Sequence, residues 1–183
     1  MKELYFIALL PPADLSEQIH QIRLQCSEKF GVYKALRPPV HITLYPPFRF
    51  EEILEKKLIH IIRQKTRGQA AFTQYLKDFG HFRKEVVFIK APASPELTGL
   101  QQTVSALFQK VDPKRFQSPA FHPHITIAYR DVRPETFNDI WAEYKNQTYS
   151  AHFIAEHFTL LKHDKIRWNA VENFELTGPA NKA

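Results

Sequence analysis

Apolar residues recur along this chain with two different periods, and these periods divide it into helices and strands. A spacing of three or four residues places apolar side chains on one face of a helix, whereas alternation and short apolar runs are typical of strands. The helical spacing predicts four amphipathic helices, whose apolar stripes are Leu15–Phe30, Phe50–Ile62, Leu97–Val111 and Phe137–Tyr144. The strand-like runs are Tyr5–Leu9, His41–Tyr45, Phe72–Phe79, Glu85–Lys90, His124–Tyr129, Tyr149–Lys162 and Ile166–Phe174.

Helices that alternate with strands favour an α/β or α+β architecture for this chain. The runs Phe153–Lys162 and Ile166–Phe174 are separated only by a short polar segment and predict a β-hairpin. The proline-rich segments Arg37-Pro38-Pro39 and Tyr45-Pro46-Pro47 flank one strand and are predicted to be shaped loops. Because no linker or low-complexity segment interrupts the sequence, residues 1–183 are expected to form a single domain.

One short sequence occurs twice. PVHITLY at Pro39–Tyr45 returns as PHITIAY at Pro123–Tyr129, nearly half a chain length later. In both places a helix precedes the His-containing strand and another helix follows it. An ancestral duplication explains this repetition, and it predicts two pseudosymmetric lobes that each contribute one His to a shared cleft.

The repeated strands place their polar residues on one face. Side chains alternate between the two faces of a strand, so His41 and Thr43 share a face, as do His124 and Thr126. The apolar residues between them point the other way, into a core: Ile42, Leu44, Ile125 and Ile127. Two imidazoles and two hydroxyls brought together in this way suit an anion whose charge is spread over several oxygens.

These residue types predict acid–base chemistry on a phosphate. Imidazole has an ordinary pKa of about 6.5, so one ring can accept a proton while the other donates one. Thr43 and Thr126 can donate hydrogen bonds to the phosphate oxygens on which charge accumulates. This chemistry needs neither a metal nor a cofactor. A zinc site of His41, His122 and His124 is the weaker alternative, because no carboxylate or Cys ligand marks it and His-Pro-His is not a usual zinc spacing.

Charge and composition indicate which kind of partner and which cellular compartment to expect. The formal net charge of +6 and the pI of about 9.4 suit a polyanionic partner. The single cysteine, Cys26, lies on an apolar helix stripe and is expected in the core, and the absence of a disulfide pair fits the cytoplasm. No apolar run is long enough for a membrane-spanning helix.

The two His-containing motifs resemble those of a known family. His41-Ile42-Thr43-Leu44 and His124-Ile125-Thr126-Ile127 are similar to the paired H-x-[T/S]-hydrophobic motifs of the two-histidine (2H) phosphoesterase superfamily. Within it, the chain resembles the bacterial 2'-5' RNA ligase and RNA 2',3'-cyclic phosphodiesterase group, whose second motif is often preceded by a segment like Phe121-His122-Pro123. The resemblance covers nearly the whole chain.

The resemblance implies a fold, a reaction and a set of roles. The fold would be α+β and bilobal, with pseudo-two-fold lobes, two antiparallel sheets flanking a central cleft, and helices outside. The reaction would be hydrolysis of the 2',3'-cyclic phosphate of an RNA end or nucleotide to a 2'-phosphate, in some relatives with reversible 2'-5' ligation. Apart from the resemblance, we expect the protein to be a monomer. His124 would be the base for water and His41 the acid for the 3'-oxygen, while Thr43 and Thr126 would hold the phosphate.

Two departures from the family pattern concern substrate contacts. Relatives often continue the first motif with an aromatic residue and a Gly, whereas Tyr45-Pro46-Pro47-Phe48 stands here. Some relatives carry an Arg five residues after the second His. Arg130 follows His124 by six, so in an unbroken strand it would share the His124 face and contact phosphate, unless it is an exposed strand-end charge.

Aromatic and basic residues near the motifs are the remaining candidates for substrate contacts. Phe48 and Tyr129 are the preferred candidates for stacking on a base, with packing in the core as the alternative for each. Other candidates are Phe82 and Phe121 for stacking, and Lys34, Arg37 and Arg49 for attracting phosphate. A different class of function also fits the sequence: a non-catalytic RNA- or nucleotide-binding module that uses the same pocket.

Overall fold

The computed structural model describes residues 1–109 and 121–178, and within these ranges the chain forms four α-helices and nine β-strands. The helices are α1 (Ala13–Phe30), α2 (Glu55–Thr66), α3 (Pro95–Leu107) and α4 (Pro134–Tyr144). The strands are β1 (Lys2–Leu9), β2 (Ile42–Glu51), β3 (Phe72–Lys77), β4 (Phe79–Phe82), β5 (Val86–Lys90), β6 (His124–Tyr129), β7 (Ser150–Ala155), β8 (His157–His163) and β9 (Trp168–Glu175). Short 3-10 helices cover Lys34–Leu36 and Glu52–Leu54.

The named strands pair antiparallel in three groups. A four-stranded sheet has the order β2-β1-β8-β9, a three-stranded sheet the order β4-β5-β6, and β3 pairs with β7. The α+β class with antiparallel sheets is therefore confirmed, and so is the hairpin of β8 and β9. The run predicted as one strand, Phe72–Phe79, is broken at Asp78, whose φ of 57° lies outside the strand region.

Helix α1 buries the apolar stripe that the sequence predicts. Its buried face carries Leu15, Ile19 and Cys26, in keeping with the three-to-four spacing, and also the charged residue Arg23. The helix ends at Gly31, whose φ of 70° suits glycine and whose N–H donates to the Ser27 carbonyl at 2.8 Å. Each buried aliphatic side chain on this face contributes about 1.5–3 kcal/mol to stability. Cys26 is a buried core residue, as expected.

The segment after the first motif differs from the prediction. Tyr45-Pro46-Pro47 is not a loop: β2 continues through both prolines to Glu51, with an irregular register against β1 at this point. Proline cannot donate to a strand ladder, but β2 is the edge strand of its sheet, where a proline and a bulge are tolerated. Phe50 consequently lies in β2, and the second helix begins at Glu55. Val111, predicted at the end of the third helix, lies outside the described residues.

The four-stranded sheet is apolar on both faces near the middle of β1. Tyr5, Ile7 and Leu9 belong to the main core cluster, which extends through both larger sheets and the helices. Phe6 and Ala8 point the other way and form a small second cluster with Leu161, against which Trp168 packs. This second face forms part of the wall of the cavity described below.

Candidate active site

A cavity of about 440 Å³ is lined by residues of the four-stranded sheet, the three-stranded sheet, α1 and the segment 34–39. His41 and Thr43, from the first motif, line it together with His124 and Thr126 from the second. Two strands that are distant in sequence thus bring both motifs to one place. The apolar residues between them are at most 1% exposed and pack in the core, as the alternation predicts: Ile42, Leu44, Ile125 and Ile127.

Both imidazoles are held by the same local hydrogen bond. Nδ1 of His41 lies 2.7 Å from the Pro39 carbonyl oxygen, and Nδ1 of His124 lies 2.7 Å from the His122 carbonyl oxygen. A carbonyl can only accept, so each Nδ1 carries the hydrogen and each neutral ring keeps its lone pair on Nε2. The contribution of His122 to this arrangement is its backbone carbonyl, whereas its side chain is exposed.

Aromatic rings pack against each imidazole. The ring centroid of Phe6 lies 5.0 Å from that of His41, while those of Phe82 and Phe88 lie 5.0 and 4.9 Å from that of His124. These apolar neighbours displace water from the rings, which disfavours the charged imidazolium.

The pKa values of both imidazoles are depressed. Burial lowers the pKa of His41 to about 4; its hydrogen bond to Pro39 opposes this shift, and the positive charge of Arg23 adds to it. Burial also lowers the pKa of His124, against the effect of its hydrogen bond to His122. Both rings are therefore predominantly neutral at neutral pH in the ligand-free protein.

The depressed pKa of His41 predicts how stability depends on pH. The unfolded chain binds a proton at this residue near pH 6.5, whereas the folded protein resists it down to about pH 4. The stability that neutral His41 contributes is fully present above pH 6.5 and is lost as the pH falls towards 4. We expect the free energy of unfolding to fall by on the order of 2–3 kcal/mol more in the wild type than in His41→Gln over this interval. Urea unfolding at a series of pH values between 6.5 and 4 measures this difference. If the free energy of unfolding fell equally with pH in the two proteins, the pKa of His41 would not be depressed by folding.

Two of the candidates for substrate contact, Tyr129 and Arg130, line the cavity next to each other in sequence. Tyr129 lies at the end of β6, and Arg130 follows it with its guanidinium carbon 4.9 Å from the Tyr129 ring centroid. The condition attached to the prediction for Arg130, an unbroken strand, is not met, although this residue does line the cavity. The strand ends at Tyr129 and the φ of Arg130 is 72°, so the alternation does not carry through to this residue.

Phe48 does not line the cavity, which corrects the prediction that it contacts the substrate. Its side chain is 8% exposed and packs in the main core, with ring centroids 5.5 Å from Tyr45 and 4.6 Å from Phe108. Phe82, the less favoured candidate, does line the cavity.

The residues of the cavity wall that were not predicted from the sequence include Phe6, Arg23, His163 and Trp168. Arg23 could have been found, because it is a charged residue within the apolar stripe of α1. Trp168 gave no such signal. It reaches the cavity through strand pairing, and its ring centroid lies 4.5 Å from that of Phe6.

The charge of the cavity wall is one-sided. Among the described residues that line it there are several cationic side chains and no Asp or Glu; the cations are Arg23, Lys34, Arg37 and Arg130. Arg49, considered for the same purpose, is not among the lining residues. A wall of this composition attracts anions, since nearby positive charges raise their local concentration.

The described part of the chain contains neither a candidate metal site nor a candidate membrane span. In residues 1–109 and 121–178, no three or more His, Cys, Asp or Glu side chains are grouped so that they could hold a metal ion. Within the same ranges, no helix is both long enough and apolar enough to span a membrane.

Comparison with known proteins agrees with the fold and with the family that the sequence resembles. A protein of Shouchella clausii, provisionally named a phosphoesterase, is 27% identical over 95% of this chain and 98% of its own. The crystal structure of TT0787 from Thermus thermophilus has a TM-score of 0.68 at 19% identity, covering 96% of this chain and 98% of that one. Escherichia coli LigT complexed with 3'-AMP has a TM-score of 0.65 at 22% identity, covering 97% and 99%. Residues 11–167 match the family model of the 2'-5' RNA ligase superfamily, so the chain belongs to this superfamily of phosphoesterases.

Proposed function

We propose that this protein hydrolyses 2',3'-cyclic phosphates on RNA ends or nucleotides to 2'-phosphates, without a metal, using His41 and His124 as an acid–base pair. The observation that carries the proposal is the matched anchoring of the two rings. Each is fixed through Nδ1 to a carbonyl two residues earlier, and both line one cation-rich cavity. LigT, which shares the fold, has been crystallised with 3'-AMP, a nucleotide that carries a phosphate on the ribose.

The proposed reaction is a single displacement at phosphorus. His124 takes a proton from water through Nε2 as the water oxygen forms its bond to phosphorus. The bond between phosphorus and the ribose 3'-oxygen breaks, and His41 gives a proton to that oxygen. The products are a 2'-phosphate and a free 3'-hydroxyl. A ribose 5'-hydroxyl in the place of water would form a 2'-5' linkage by the same steps, which are reversible.

The hydroxyls and the cationic side chains would stabilise the charge on phosphate. Thr43 and Thr126 line the cavity beside the two rings, where their hydroxyls can donate to the non-bridging oxygens. Arg130 adds a positive charge to the cavity wall just after the end of β6, and Tyr129 offers a ring for contact with the nucleoside. Donors fixed in place before the reaction stabilise the transition state without reorganisation.

The low pKa values of both rings predict an acidic optimum for the free protein. The kcat/KM profile reports the ligand-free state, in which one ring must be neutral and the other protonated. Because both pKa values lie below 6.5, we expect the optimum of kcat/KM below pH 6.5. A bound phosphate anion favours the protonated imidazole, so the optimum of kcat should lie at higher pH. Initial rates in the presence of EDTA measure both profiles, and a kcat/KM optimum above neutrality would contradict this protonation scheme.

The reaction itself is tested with a panel of substrates. Nucleoside 2',3'-cyclic phosphates and RNA oligonucleotides with 2',3'-cyclic ends are incubated with the protein, and phosphorus NMR assigns the position of the product phosphate. The expected product is the 2'-phosphate. Tight binding of 2'-phosphorylated nucleotides without turnover of any cyclic substrate would instead identify a non-catalytic binding module.

A further inference from the structure

Arg23 is a buried charged residue that has no role in the reaction proposed above. It lies on α1, is 2% exposed, and lines the cavity. One of its terminal nitrogens donates to the Pro38 carbonyl oxygen at 3.1 Å, but its Nε has no hydrogen-bond partner among the described residues. A guanidinium taken out of water is costly unless a counter-charge and hydrogen-bond acceptors compensate for it.

The cavity wall beside Arg23 provides no such counter-charge among the described residues. The other charged or titratable side chains that line the cavity are Lys34, Arg37, His41, His124, Tyr129, Arg130 and His163. None of these is a carboxylate. Burial lowers the pKa of Arg23 to about 10, which still leaves it charged at neutral pH.

Arg23 is also connected to the first imidazole through two consecutive carbonyls. Pro38 accepts the hydrogen bond from Arg23, and the next residue, Pro39, accepts the one from Nδ1 of His41. Proline fixes φ and leaves no backbone N–H in this short segment. The guanidinium and the imidazole are therefore held in a defined relation to each other at the cavity wall.

We propose that the phosphate of the substrate is the counter-ion of Arg23, whose guanidinium binds it at the cavity wall while the bond to Pro38 keeps the anchor of His41 in place. This inference rests on the proposed function, because it takes a phosphate ester as the ligand. Arginine is suited to the role, since its planar donors bind phosphate oxygens in charge-assisted hydrogen bonds.

Titration with inorganic phosphate distinguishes a phosphate-binding role of Arg23 from a purely structural role. Arg23→Met keeps the length of the side chain without its charge, and Arg23→Lys keeps the charge without the planar donors. The matched control is Arg67→Met, because Arg67 is exposed at the end of α2 and does not line the cavity. By calorimetric titration, we expect Arg23→Met to bind phosphate at least about tenfold more weakly, Arg23→Lys to be intermediate, and Arg67→Met to match the wild type.

A second measurement on the unmodified protein keeps the test decisive even where Arg23→Met does not fold. The Nε–H resonance of Arg23, assigned by its loss in Arg23→Lys, should shift as phosphate is titrated into the wild type. An unmoved resonance, or wild-type phosphate affinity in a folded Arg23→Met, would overturn the inference. If phosphate binding depended on Arg23 but no cyclic phosphate were turned over, the inference about Arg23 would hold and the proposed reaction would be wrong.

Discussion

Replacing either His41 or His124 with Ala is expected to lower the turnover of a nucleoside 2',3'-cyclic phosphate by about 10²–10⁴-fold, because each substitution removes one proton transfer from the transition state. The loss should appear in kcat more than in KM, since the rings act on protons and not mainly on ground-state binding. Steady-state kinetics at the optimum pH of the wild type provide the measurement.

The control for these variants is His60→Ala. His60 lies exposed on α2 and is not among the residues that line the cavity, so its loss should leave turnover unchanged. Full activity in His41→Ala or in His124→Ala would exclude the two-histidine mechanism. Thermal unfolding of each variant shows whether a loss of activity reflects unfolding.

The threonines of the two motifs should have the next largest effect. Thr43→Val and Thr126→Val keep the branched shape that suits a strand but remove the hydroxyl donor. A hydrogen bond to a charged group contributes about 1.5–3 kcal/mol, so each variant should lose roughly 10- to 100-fold in kcat/KM. The same kinetic assay measures the loss.

Thr73→Val is the matched control for the threonine variants. Thr73 is exposed on β3, away from the cavity lining, and should tolerate the change without loss of activity. If Thr43→Val and Thr126→Val were as active as Thr73→Val, the phosphate would not be held by these hydroxyls. A loss in only one of them would show that the two motifs contribute unequally.

The motif-bearing strands were predictable because their information is local. In β6, the alternation of polar and buried residues places His124 and Thr126 on the cavity side and Ile125 and Ile127 in the core. No knowledge of distant contacts is needed for that assignment. The repetition of the same pattern around His41 then indicated that both strands face a common site, and both do line one cavity.

The errors arose where the regular period was interrupted. Phe48 is close in sequence to the first motif, but an irregularity in the pairing of β2 at Pro46 and Pro47 resets which face each residue takes. Tyr45 and Phe48 therefore both turn into the core. The period is also interrupted at Arg130, since β6 ends one residue before it, but this residue does line the cavity. Such interruptions depend on how a strand pairs with its neighbours, and this pairing cannot be read from the sequence alone.

Contacts between segments that are distant in sequence explain why some residues of the cavity wall could not be predicted. Trp168 comes to the cavity because it pairs with His163 across β8 and β9 and packs on Phe6 of β1. Arg23 is different, since its position within an apolar helix stripe was visible in the sequence. A charged residue at such a position signals a buried charge.

The double variant His41→Ala/His124→Ala provides the most direct test that two imidazoles serve a single phosphorus atom. Its rate on a nucleoside 2',3'-cyclic phosphate is compared with the rates of the two single variants and the wild type. Groups that act as a unit are not additive, so the double variant should be about as slow as either single variant. Losses that multiply, as they do for independent sites, would contradict a shared transition state.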